Sequence, residues 1–131
     1  YYGYTGLIIA AKNEHFHVVQ YLLQQEGVDL SIVREGNNGN DKNTAPRGRN
    51  VVHYAAYYNK NTLETVKLLV NHKKCTANII NARNSDGSTP LDFAYVNTSM
   101  LKQQIINELR NHGAKRQEEE NHDKKVLKIT I

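Results

Sequence analysis

Three stretches of this chain repeat one pattern, and self-similar units confine a chain to architectures that stack them. Gly3-Tyr4-Thr5-Gly6-Leu7-Ile8-Ile9-Ala10-Ala11 is followed by His15, Val18-Val19, Leu22-Leu23 and Gly27-Val28-Asp29. Gly48-Arg49-Asn50-Val51-Val52-His53-Tyr54-Ala55-Ala56 is followed by Val66 and Leu68-Leu69-Val70. Gly87-Ser88-Thr89-Pro90-Leu91-Asp92-Phe93-Ala94-Tyr95 is followed by Ile105-Ile106, Leu109 and His112-Gly113-Ala114.

Each unit reads as a pair of short helices. Thr5, Asn50 and Thr89 stand where a side-chain oxygen caps a helix N-terminus, and Pro90 suits a first helical turn. Alanines in the first helix allow close packing against neighbours. The second helix sets apolar residues at i, i+1, i+4 and i+5, a stripe for one buried face. Neither helix is long enough to be stable alone, and about three stacked units are the usual minimum for a continuous core. The expected class is all-α: a solenoid of helix-turn-helix units with β-turn fingers between them.

The common pattern, Gly-x-Thr-Pro-Leu-His-x-Ala-Ala, a polar turn, Val-Val-x-Leu-Leu and Gly-Ala-Asp, closely resembles the ankyrin repeat over residues 1–114. The chain departs from it in places. Gly3-to-Gly48 spans 45 residues and Gly48-to-Gly87 spans 39, against a family period of about 33. The first excess falls mainly in the polar run 34–46, read as an inserted loop. The second divides between Tyr58-Asn59-Lys60-Asn61 and Lys73-Lys74-Cys75-Thr76. Repeat three has a longer turn near Asn97-Thr98-Ser99. Expected repeats are thus about 1–33, 46–84 and 85–114, followed by a charged tail, 115–131. Within that tail Lys115–Lys125 reads as a helix or a solvated run, and Val126–Ile131 is β-prone: it could cover the exposed face of the last repeat, dock elsewhere or stay disordered, and disorder is the default expectation.

With 131 residues, 14.9 kDa and no apolar run near the ~20 residues of a membrane span, a multidomain enzyme and a transmembrane chain are both excluded. The one cysteine, Cys75, cannot form an internal disulfide, which fits a reducing, intracellular compartment. Met100 is the only methionine, so Tyr1 is not a translation start, and a fragment or processed product is expected. The net charge is +4, and the basic excess lies in residues 34–83, where nine Lys or Arg face three acidic residues. Such a bias steers an acidic partner. The abundance of Asn, Lys, Ile and Tyr matches AT-rich genomes and admits a microbial effector delivered into a host cell.

No active site assembles. His15 and His17 point to different sides of a helix start with no third ligand near in sequence. The resemblance gives His53 a structural role, bonding adjacent repeats. Cys75 lacks a placed base and reads as a partly buried loop thiol. Gly36, Gly39 and Gly48 lack the ending of a phosphate loop. Asn97-Thr98-Ser99 matches a glycosylation acceptor, read as chance. Arg34, Lys42, Arg47 and Arg49 could meet phosphates, but no nucleic-acid-binding grammar accompanies them. No catalytic residue, metal site or cofactor is expected.

The resemblance implies binding on the concave face, at the turn tips and the outward positions of each first helix. Carried over, these are Tyr1, Tyr2, Tyr4, Lys12 and Asn13 in repeat one. Repeat two supplies Arg47, Arg49, Tyr57 and Tyr58; repeat three supplies Ser85, Asp86, Ser88, Val96 and Asn97. Five of the eight tyrosines and two arginines fall in this set, and these types dominate binding energy at interfaces. The expected function is a non-catalytic, monomeric protein-binding module, with an acidic segment as partner and nucleic acid and membrane disfavoured. The alternative is a spacer or capping segment of a longer repeat protein.

Overall fold

The computed structural model describes residues 2–33 and 48–119, with side chains from Gly6 onward. The expected loop 34–46, Arg47, Tyr1 and the tail from residue 120 lie outside the described residues, as do the side chains of Tyr2 and Tyr4.

Among the described residues seven helices have both ends defined, in order α1 (Tyr2–Lys12), α2 (Phe16–Leu23), α3 (Val51–Tyr58), α4 (Glu64–Val70), α5 (Ala77–Ile80), α6 (Pro90–Tyr95) and α7 (Lys102–Asn111), and residues 117–119 are again helical. The described residues contain no strand. Within each repeat the first helix packs on the second; α1, α3 and α6 form an inner row, and α2, α4 and α7 an outer row. Ala11, Ala56 and Ala94 are fully buried where the inner helices meet, and Val19, Val66, Leu69, Ile105 and Leu109 close the core on the outer side. The stack expected from the repeats is therefore present.

Two of the three expected caps are made. The Asn50 side chain accepts from the backbone N–H of Val52 and His53 at 2.9 and 3.1 Å, while the Asn50 N–H donates to His53 Nδ1. Thr89 Oγ1 accepts from the Asp92 N–H, and Asp92 accepts from the Thr89 N–H at 2.9 Å. Thr5 is different: it lies inside α1, which begins at Tyr2. Pro90 disfavours helical backbone at Thr89, and Asn50 is held extended by its reciprocal bonds with His53. Gly6 supplies neither constraint, so α1 runs on through Thr5.

Residues 77–80 add a helical turn for which the repeat pattern gave no reading. Ala77–Ile80 form the helical turn α5, pinned by the buried Ile80 and by a 3.0 Å bond from Asn50 Nδ2 to the Ile79 carbonyl. The finger that follows is closed by Asn84: its Oδ1 accepts from the N–H of Asp86 and Ser88, and the Gly87 N–H donates to its carbonyl. Gly87 has φ +82°, a conformation that glycine adopts without steric penalty.

Polar side chains join successive repeats. Glu14, itself at φ 60°, accepts from the N–H groups of Lys60, Asn61 and Thr62 and from Asn61 Nδ2, at 2.7–3.0 Å. Asn59 Nδ2 donates to the Ala11 carbonyl at 2.9 Å. Lys74 Nζ donates to the carbonyls of Glu26 and Val28, and His72 Nε2 bonds the Leu23 carbonyl. After α7, Gly113 turns the chain, and residues 115–119 fold back onto repeat three. Arg116 Nε and the Gln117 N–H both donate to Asp92, and Thr89 Oγ1 donates to the Lys115 carbonyl. The described part of the tail is thus packed against the last repeat.

Candidate functional site: the inner helix face

The inner row presents a ridge of aromatic rings. Tyr54 and Tyr58 are one helical turn apart on α3, and their rings stack at 6.0 Å. Tyr57 meets Tyr58 edge-on at 4.8 Å and Phe93 of the next repeat at 6.2 Å. Two cations lie on these rings. Arg49 sits 4.6 Å over Tyr54, and Lys12 Nζ, from repeat one, 4.8 Å over Tyr58. One surface therefore spans all three repeats.

Of the residues singled out in the sequence, Lys12, Arg49, Tyr57 and Tyr58 are brought together here. Tyr57 is 41% exposed; Arg49, Lys12 and Tyr58 are half-buried. Arg49 Nε is buried without a hydrogen-bond partner, so this donor is desolvated and unspent. Asn13 is exposed at the end of α1, Ser85 and Asp86 are exposed on the finger, and Val96 is exposed beyond α6. Ser88 is half-buried, its carbonyl engaged by His53.

Asn97 is not on this surface. It is 3% exposed, and its Nδ2 lies 2.9–3.2 Å from the carbonyls of Ala56, Tyr57 and Asn59. From Ala55 to Asn59 is four residues, but from Ala94 to Asn97 only three: α6 is two residues shorter than α3, and the asparagine after it comes one residue sooner. Asn97 is consequently the counterpart of Asn59, sealing the end of the preceding inner helix, and not of Tyr58. Its burial also removes the Asn97-Thr98-Ser99 match as an acceptor in the folded chain.

Tyr54 and Phe93 are the site residues that sequence reasoning missed. Each immediately precedes the shared alanine (Ala55, Ala94), and the i, i+4 relation of Tyr54 to Tyr58 was the available signal.

His53 lies directly beneath this ridge. Nδ1 accepts from the Asn50 N–H, so Nε2 carries the proton and donates 3.0 Å to the Ser88 carbonyl, tying repeat two to the finger of repeat three. Burial pushes its pKa down to about 4, with nearby Arg49 acting in the same direction. It is a neutral structural ring, wedged edge-on against Phe93 at 5.0 Å. Its counterpart Asp92 is charged. Burial opposes that charge, but the bonds from Thr89, Arg116 and Gln117 outweigh it and hold the carboxyl below its ordinary value. Glu14 is likewise held down by the three backbone N–H groups of its turn, against the effect of burial.

Catalytic chemistry has little to work with here. Burial raises the Cys75 thiol to about 11, so it is not a nucleophile near neutrality. No group of three His, Cys, Asp or Glu able to hold a metal occurs among the described residues, and none of their helices is long and apolar enough to cross a membrane. An open groove of about 410 Å³ lies between α2 and α4, lined by Gln20, Leu23, Glu64 and Lys67 among others. It belongs to the outer row, away from the aromatic ridge.

Comparison with curated proteins finds no match. A family model described as ankyrin repeats, three copies, matches residues 7–120. Proteins built of such repeats generally serve as protein–protein interaction modules and are typically not enzymes. The matched span runs from the first inner helix to the strap of residues 115–119 that closes the third repeat, and the chain belongs to the ankyrin repeat family.

Proposed function

We propose that this chain is a non-catalytic module that binds a protein partner on the inner helix face, around Arg49, Tyr57 and Tyr58, with Lys12 and the Ser85–Asp86–Ser88 finger at its margins. The observation that carries the reading is Arg49, laid over Tyr54 with its buried Nε donor unpaired, beside the exposed Tyr57 ring. A half-buried arginine with one desolvated donor next to an exposed aromatic is the composition of an interface hot spot. The excess of Lys and Arg in residues 34–83 favours an acidic segment as the ligand.

The test begins with a partner captured on the immobilised chain and identified, then titrated by calorimetry against the wild type, Arg49→Ala and Tyr57→Ala. Each substitution is expected to weaken binding by about 1–3 kcal/mol. Association is expected to slow as salt rises, since exposed charges are screened beyond about 10 Å at 0.1 M salt. Unchanged affinity in both variants would remove the assignment of this face, and a salt-independent on-rate would remove the acidic ligand.

A further inference from the structure

Position-by-position comparison of the outer helices shows an unequal pair of ends. Thr65 on α4 and Ile105 on α7 occupy the same repeat position and are both 0% exposed, each covered by the repeat before it. The equivalent residue on α2 is Val18, and it is 47% exposed. The next turn repeats the contrast: Leu69 and Leu109 are fully buried, while Leu22 is only partly so. Tyr21 beside them is 63% exposed, and Ile9 on α1 is exposed where its counterpart Tyr54 is buried. At Val18 and Leu22 repeat one therefore leaves open two apolar positions whose equivalents the other two repeats bury fully.

The other end of the stack is closed. Residues 115–119 lie across repeat three, with Arg116 4.3 Å over the Tyr95 ring and bonded to Asp92. Arg110 pairs with Glu119 and donates to the Tyr95 hydroxyl. A second copy cannot add its last repeat to the open end without displacing this strap, which argues against head-to-tail stacking of identical chains.

The geometry points to the Val18–Tyr21–Leu22–Ile9 face as a docking surface for a helix pair of the same repeat type. That pair stacks ahead of α1 and α2 as these stack ahead of α3 and α4. The occupant follows from continuity with the interface already formed twice in this chain: the same positions, on the same helix faces, are covered by the same kind of element. Val18, Tyr21 and Leu22 lie on the outer row, and Ile9 alone is on the inner row.

The experiment fuses a duplicate of residues 48–84 ahead of residue 1, which keeps the repeat register. It compares the fusion with the same chain carrying a Gly-Ser extension of equal length. Stability in such arrays is a sum of unit and neighbour-interface contributions. Seating of the added unit is expected to raise Tm by about 5 °C. Val18→Glu is expected to abolish that rise, yet to move Tm of the unfused chain by less than about 2 °C. No rise, or an equal effect of Val18→Glu in both backgrounds, would overturn the inference. Reversible self-association of the unfused chain in sedimentation, lost in Val18→Glu, would also overturn it by assigning the face to a second copy.

Discussion

Removing the Asn97 side chain amide tests the coupling of repeats two and three more directly than any apolar truncation. Its two N–H groups serve three carbonyls at the end of α3, at 2.9, 3.2 and 3.0 Å, while its Oδ1 accepts from the Ser99 N–H at 2.7 Å. Asn97→Ala deletes about three hydrogen bonds, each of net value about 1 kcal/mol. It also strands carbonyls in a site where the side chain itself is almost wholly buried. The expected loss is about 3 kcal/mol in urea unfolding followed by circular dichroism. Asn97→Asp keeps the shape and the acceptor but replaces both donors by a charge facing carbonyl oxygens. It is expected to lose at least as much. Thr98→Ala, at the exposed neighbour, is the control and should stay within about 0.5 kcal/mol. A loss under about 1 kcal/mol for Asn97→Ala, or a milder effect of Asn97→Asp, would refute the claim that these donors hold the two repeats together.

Acid should weaken the fold in two windows. The folded pKa of His53, near 4, lies below its ordinary 6.5, so the unfolded chain takes up a proton first. Stability is then lost as pH falls from about 6.5 to about 4, by about 3 kcal/mol. Asp92 and Glu14, also held below their ordinary values, add losses of the same sign only below about pH 4.5. A His53→Gln variant should flatten the upper window alone in a pH series of urea midpoints. Glu14→Ala removes four bonds to the turn at 60–62 and is expected to lose about 1–2 kcal/mol at this half-buried site, in the same assay. Gly87→Ala places a methyl 2.7 Å from Gln117 Nε2 at φ +82°. Because the Gln117 tip can move, the backbone term dominates. A loss of about 1–2 kcal/mol is expected, and Gln117→Ala should recover little of it in a double-mutant cycle.

The stack was legible because its determinants are local and recur: alanines on the inner helix, paired apolar residues on the outer helix, and Asn50 and Thr89 at the caps. The linking role of His53 was what the ankyrin resemblance implied, and its bond to Ser88 is present. What escaped was the phase of individual units. Nothing in the letters Val96-Asn97 shows that α6 ends early, and the one-residue step this gives the asparagine moves Asn97 from the surface into the joint between repeats. Thr5 resembles Thr89, but without a following proline its backbone stays helical. The turn α5 is held by burial of Ile80, a tertiary event that a four-residue stretch does not announce. At the candidate site the exposed Tyr57 and the half-buried Arg49 were readable from repeat position. Tyr54 and Phe93, which hold them from beneath, were not, because buried support is visible only once the helices are packed. The fold of 115–119 onto Asp92 was missed for the same reason: a mixed-charge run looks solvated until its partner is placed.

Site-specific photo-crosslinking measures the binding face without relying on affinity changes. A benzophenone side chain would replace Tyr57 on the inner row or Gln20 on the outer row, both exposed and both on helices of the same stack. With a bound partner protein, crosslinks are expected from position 57 and not from position 20. Efficient capture from position 20 with none from position 57 would place the partner on the outer helices and contradict the account.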